Sequence, residues 1–242
     1  MRSHKRLNGA FVATVGIVLC LLGAERATAE GCNAYLFPQT VADVSLAAVR
    51  SDRLPILRDD DGCPAAGSKC AGKAYLVKGN QVFVSNTQDG YRCVAYFNGN
   101  RQTTGWVKSD GLTSVSPPAP EGDWADVWKR VQGDAVVTIR KLPGQYIASG
   151  IATYSVGRDN VRTGTADGTL HVTTSVTGAI ASFTQNAGDP TSVCTVMLKQ
   201  LGPWLLITDG ATDDANSGCG GMGVTFNGIY QRTLHRNADH KP

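Results

Sequence analysis

Residues 169–184 read TLHVTTSVTGAIASFT, and the fold class turns on them. Leu170, Val172, Thr174 and Val176 alternate with His171, Thr173 and Ser175, the period of two expected of a strand with one buried face. Thr177-Gly178 supplies a tight turn, and Ala179–Thr184 is a second extended run returning from it. The same alternation places Cys194, Val196 and Leu198 opposite Thr195, Met197 and Lys199, and puts Val224, Phe226 and Tyr230 on one face of the last run. With Ala135–Leu142, Tyr146–Tyr154, Ser192–Lys199, Trp204–Thr208 and Gly223–Gln231, the pattern is seven short runs. They are separated by turn clusters such as Leu142-Pro143-Gly144, Ala166-Asp167-Gly168 and Gly188-Asp189-Pro190. This predicts an antiparallel meander, closed as a barrel or stacked as a sandwich. One stretch departs from the pattern. Trp124, Val127, Trp128 and Val131 fall at i, i+3, i+4, i+7 behind Asp123, a good N-cap, which predicts a short amphipathic helix over 123–131.

Upstream, residues 115–122 read VSPPAPEG, a stiff proline-rich spacer. The chain is therefore divided into residues 30–114, the linker 115–122, the meander domain 123–233 and a polar tail 234–242 expected to be disordered. Residues 1–29 have the layout of a secretory signal peptide: Arg2, Lys5 and Arg6, an apolar run from Ala10 to Ala24, then Ala27-Thr28-Ala29 for cleavage. The expectation is an exported, periplasmic or secreted bacterial protein. Neither Cys20 nor Cys32 has the small residue and upstream apolar residue of a lipidation site, and no membrane span is expected beyond the leader.

Removal of the leader changes the charge and the cysteine count. The whole chain has 23 Lys+Arg against 20 Asp+Glu. The leader holds Arg2, Lys5, Arg6, Arg26 and Glu25, so the remainder is formally neutral, which argues against nucleic acid as a partner. Cys20 leaves with the leader; Cys32, Cys63, Cys70, Cys93, Cys194 and Cys219 remain, an even set suited to disulfides in an exported protein. Cys194 and Cys219 are alone in the second domain and pair. The first four allow three pairings, of which a local Cys63–Cys70 staple with a long Cys32–Cys93 tie is favoured. No pair has metal-site spacing, and no cofactor or metal is expected.

The first domain reads as short strands, Leu54–Leu57, Ala74–Val77, Gln81–Ser85, Tyr91–Phe97 and Thr104–Val107, with Gly79-Asn80 and Asp89-Gly90 as turns. About five strands predict a small bent barrel. The stretch from Leu76-Val77-Lys78-Gly79-Asn80-Gln81-Val82 through Asp89-Gly90-Tyr91-Arg92-Cys93-Val94 to Gly105-Trp106-Val107 and Leu112 resembles a bacterial SH3-like (SH3b) domain. Tyr91 stands where that family usually has tryptophan, and the Cys63–Cys70 insertion lengthens the first loop. The resemblance implies binding rather than chemistry, through an aromatic-lined groove that attaches to peptidoglycan or an envelope protein. Tyr91, Tyr96 and Trp106 are the candidate binding residues, with Asp59, Asp60 and Asp61 on a loop above; burial in the barrel core is the competing fate of each ring.

In the second domain, a two-tryptophan helix ahead of a meander resembles the layout of lipocalin-like barrels. Residues 201–209 and 219–232 are similar to the C-terminal region of secreted proteobacterial proteins of unassigned function. Neither likeness implies a ligand or a catalytic residue. His171 is the one histidine outside the leader and the tail, and it has no neighbouring nucleophile motif or strand-mate carboxylate. Oxidised cysteines remove the thiol route, so no enzymatic activity is expected. Asp209, Asp213 and Asp214 crowd the loop before Cys219 and are the remaining candidate binding residues. The leading expectation is an envelope-binding protein. The alternative is an inhibitor of lysozyme or a related wall hydrolase that inserts the acidic Asp209–Cys219 loop into a cationic cleft. A third reading is a barrel that holds a small apolar ligand.

Overall fold

The computed structural model describes residues 31–34, 37–60, 62–117, 123–157, 159–175, 178–186, 188, 192–211 and 219–233. The expected leader and tail lie outside these residues, as does most of the proline-rich spacer. The protein is all-β, and it is built from a closed barrel and a separate antiparallel sheet.

The first unit contains β1 (Ser45–Val49), β2 (Leu54–Leu57), β3 (Ala71–Leu76), β4 (Gln81–Gln88), β5 (Tyr91–Asn98), β6 (Arg101–Lys108) and β7 (Leu112–Val115). They form one sheet of seven strands in the order β3-β2-β6-β5-β4-β1-β7, two more than the sequence pattern suggests. Both faces of this sheet are buried. Ala47, Val49, Leu54, Ile56, Leu76, Val82, Val84, Val94 and Val107 build a core on one side. Leu46, Leu57, Phe83, Cys93, Ala95 and Trp106 build a second core on the other. Cys32 pairs with Cys93 and Cys63 with Cys70, the favoured connectivity.

The second unit is an eight-stranded closed barrel with every neighbour antiparallel: β8 (Asp126–Arg130), β9 (Asp134–Leu142), β10 (Gln145–Ser155), β11 (Val161–Ser175), β12 (Gly178–Gln185), β13 (Cys194–Leu201), β14 (Trp204–Thr208) and β15 (Gly228–Arg232). The helix expected over 123–131 is instead strand β8, which closes the barrel by pairing with β9 and β15. The reason is periodic. Trp124 and Trp128, four apart, share a face in a helix and in a strand alike. Both are buried in the barrel core, and the unpaired edges of β9 and β15 settle the choice by offering β8 a ladder on each side.

Eight strands leave an interior just wide enough for side chains to fill. Trp128, Val137, Ile139, Phe183, Val196, Leu198, Leu205, Ile207 and Tyr230 fill it. Part of the packing comes from the segment between β14 and β15, which contributes Cys219, Val224 and Phe226 to the same core. The strands that receive this segment have small residues facing inward: Ala148, Gly150 and Ala152 on β10, Gly164 and Ala166 on β11. A Cβ at Gly150 would lie 2.7 Å from the Phe226 ring. One at Gly164 would collide with the Cys219 carbonyl and lie 2.7 Å from Gly220 Cα. Cys194–Cys219 cross-links the inserted segment to β13. A packed interior removes the basis for an apolar ligand in the barrel. Gly164→Val is expected to dislodge the segment and lose about 3 kcal/mol or more in urea unfolding, since backbone cannot retreat as a side-chain end can. The inward parity read from residues 169–184 holds for Leu170, but Val172 is exposed at the end of the strand.

The two units share a hydrophobic core. Leu201, Leu206 and Ile229 project from the outside of the barrel into the second core of the sheet, with Trp204 packed beside them. Phe37, Val41 and Val44, from the segment ahead of β1, are buried in the same core. Lys199 anchors that segment from the barrel side. Its buried Nζ donates to the carbonyls of Ala42 and Val44, each at 2.9 Å, and Thr208 Oγ1 donates to the carbonyl of Gln39 at 3.0 Å. Burial lowers the Lys199 pKa from its ordinary value, and Asp43 partly offsets this.

Candidate functional site

An apolar open groove in the first unit lies where β2 leaves β6. The β2–β6 ladder has a single pair, Leu57 with Trp106; beyond it β2 bulges and pairs with β3 on its other side. Gly105 makes the one close approach possible, because a Cβ there would collide with the Leu57 carbonyl. The opened gap has a volume of about 340 Å³ and is lined by Leu54, Pro55, Leu57, Gly67, Ser68, Ala71, Tyr91 and Lys108. Tyr91 and Lys108 are directly opposed across β5 and β6, so a ring and an ammonium stand at one end. The far wall is the 3-10 turn Gly67–Cys70, held by the Cys63–Cys70 disulfide. A Cβ at Gly67 would sit 3.9 Å from the Tyr91 hydroxyl. The disulfide-closed loop Cys63–Cys70 thus becomes a wall of the groove.

The predicted binding residues do not converge. Tyr91 is half-buried and lines this groove. Trp106 is fully buried, and its indole Nε1 donates to Asp59 Oδ1 at 2.7 Å, so the ring orders the acidic loop from beneath and is not a contact surface. Asp60 pairs with Arg58 at 3.0 Å, and Asp61 lies outside the described residues. Tyr96 packs against the opposite core of the sheet and lines a different groove. Sequence reasoning missed Leu54, Pro55 and Lys108. Pro55, which has no N–H to give a ladder, was the available signal for a strand leaving its neighbour.

Asp209 is 4% exposed and serves the fold. Its carboxylate accepts hydrogen bonds from Thr225 Oγ1 at 2.7 Å, Phe226 N at 2.8 Å and Ala211 N at 3.2 Å. Its own N–H donates to Asn227 Oδ1 at 2.8 Å, and Arg130 Nη1 donates to the Thr225 carbonyl at 2.8 Å. These bonds hold the segment that plugs the barrel, so Asp209 is not available to an enzyme cleft. Asp213 and Asp214 lie outside the described residues. His171 is exposed on β11.

A second charged cluster lies beside the β9–β10 turn. Asp123 accepts from Lys141 Nζ at 2.8 Å, from Trp124 N at 2.7 Å and from the Tyr146 hydroxyl. Lys141 and Tyr146 together hold the Asp123 pKa at about 2, below the ordinary carboxylate value. Asp123, the expected helix cap, instead fastens the residues before β8 to β9 and β10.

No protein-family model matches this chain, and no curated protein or solved structure matches it at a significant level. Three disulfides fit a protein that folds in an oxidising, extracytoplasmic environment. Among the described residues no helix is long and apolar enough to cross a membrane.

Proposed function

We propose that the protein is an exported cell-envelope binding protein, periplasmic or secreted, whose first unit is an SH3-like domain that attaches to peptidoglycan or to an envelope protein. The observation that carries this reading is the groove at Tyr91: apolar walls, an aromatic ring and a lysine at one end suit a short peptide with an apolar side chain and a carboxylate. The order of elements also supports it. A meander β4-β5-β6 leads through a 3-10 turn, Ser109–Gly111, to β7, which pairs with β1. The leader-like residues 1–29 and the three disulfides support export. The binding role rests on recognition, with no reaction required of the protein.

The test is co-sedimentation with purified sacculi, with a pull-down from envelope extract as the protein arm. The double variant Tyr91→Ala, Lys108→Ala is expected to reduce recovery about tenfold, near 1.4 kcal/mol of binding free energy. Lys108 is exposed and Tyr91 is half-buried at the margin of the second core, so a thermal melt of the variant accompanies the assay to separate lost binding from lost folding. Trp106→Ala is unsuitable because it would empty the core. Equal recovery of the variant, or no recovery of the wild type in either arm, removes the proposal.

A further inference from the structure

A second groove lies at the junction of the two units, and its chemistry differs from that of the first. Its volume is about 470 Å³. The sheet supplies Asn80, Gln81, Tyr96 and Phe97, and the barrel supplies Trp204 and Gln231. The rings form one interlocked cluster: Trp204 stacks on Phe97 with centroids 6.2 Å apart and planes 23° apart, and Phe83 meets Trp204 edge-on at 5.4 Å. Such packing holds the indole rigid at small further entropy cost on binding. Around the rings stand three carboxamides and one phenol. Gln81 and Gln231 are exposed, and neither side chain has a hydrogen-bond partner among the described residues. Asn80 Oδ1 accepts from Val77 N at 2.9 Å, which orients its amide. No charged side chain lines the groove among the described residues.

From this combination we infer a binding site for a neutral oligosaccharide, assembled only when the two units dock. A sugar ring has an apolar C–H face that suits an aromatic platform, and hydroxyls that both donate and accept. A carboxamide likewise offers both functions. A phosphorylated or carboxylated ligand would lose water from its charge with no cation to receive it. A purely apolar ligand would strip water from the three amides without replacing their hydrogen bonds. The uncharged polyol satisfies both halves of the surface. This site is independent of the Tyr91 groove, and the inference does not rest on the envelope-binding proposal.

Trp204 also provides the readout. Trp106, Trp124 and Trp128 are buried, so Trp204 is the partly exposed tryptophan of the four. Full-length oxidised protein would be titrated with chitotetraose, cellotetraose and maltotetraose, following tryptophan emission and its quenching by acrylamide. At least one oligosaccharide should change emission saturably and reduce quenching, while the same titration with galacturonate oligomers should give no change. The surface variant Gln81→Ala, Gln231→Ala should weaken binding at least fivefold with its thermal unfolding unchanged, and Tyr91→Ala, Lys108→Ala should bind as the wild type does. Absence of a response to all three neutral sugars, an equal response to the charged oligomers, or undiminished binding by the glutamine variant would overturn the inference.

Discussion

Residues 123–233 expressed alone, under oxidising conditions, should be insoluble or aggregated although they contain every strand of the closed barrel. Leu201, Leu206 and Ile229 are between 0 and 2% exposed in the whole protein, yet they project outward from the barrel into the core of the sheet. Severing the units returns three aliphatic side chains to water at about 1.5–3 kcal/mol each, roughly 5–9 kcal/mol. Native stabilities are about 5–15 kcal/mol, so the loss is comparable with the whole. It also leaves an exposed apolar patch, a direct route to association. Lys199 would lose the two carbonyls that satisfy its ammonium, although exposure would rehydrate it. Soluble yield, gel filtration and a thermal melt of the fragment test this. A monomeric fragment that melts within a few degrees of the whole protein would show that the shared core contributes little.

Asp209→Ala should cost about 3–5 kcal/mol in urea unfolding, far more than loss of an exposed loop acid. The alanine leaves Phe226 N–H and the Thr225 hydroxyl buried without an acceptor, and each such group costs about 1–3 kcal/mol. Asp209→Asn keeps one accepting oxygen and should lose about half as much. Because the Cys194–Cys219 bond still tethers the segment, failure should show first as local opening: faster amide exchange at Val224–Asn227, ahead of global unfolding. If both variants unfold like the wild type, the network is not what holds the plug.

These two effects are also where the sequence was hardest to read. The acids before Cys219 have the composition of a solvated loop, and Asp209 is bound by Thr225 and Phe226, which reach it from sixteen and seventeen positions along. Nothing local marks it. The shared core did leave a trace: Trp204-Leu205-Leu206-Ile207 is a continuous apolar run, the mark of a strand buried on both faces, whereas the other runs alternate. In the strand, Leu205 and Ile207 fill the barrel while Trp204 and Leu206 meet the sheet. The helix at 123–131 was misread because two tryptophans four apart satisfy both periods.

The groove residues were legible in part. Tyr91 could be singled out, since its place ahead of Cys93 follows a recognisable turn. Lys108 and the wall at Gly67 depend on β2 leaving β6, a departure that the register with β3 produces. Trp204 and Gln231 lie more than a hundred residues from Tyr96, so the groove they share exists only once the units dock.

Alternation, turn residues and an even set of cysteines carried the all-β class, the meander and the three cross-links, because each depends on neighbours close along the chain or on a small number of possible pairings. Closure through β8, insertion of the 219–227 segment and fusion of sheet to barrel came from contacts between distant residues. There the outcome follows from which surfaces fit one another and exclude water, and the order of amino acids records that only indirectly.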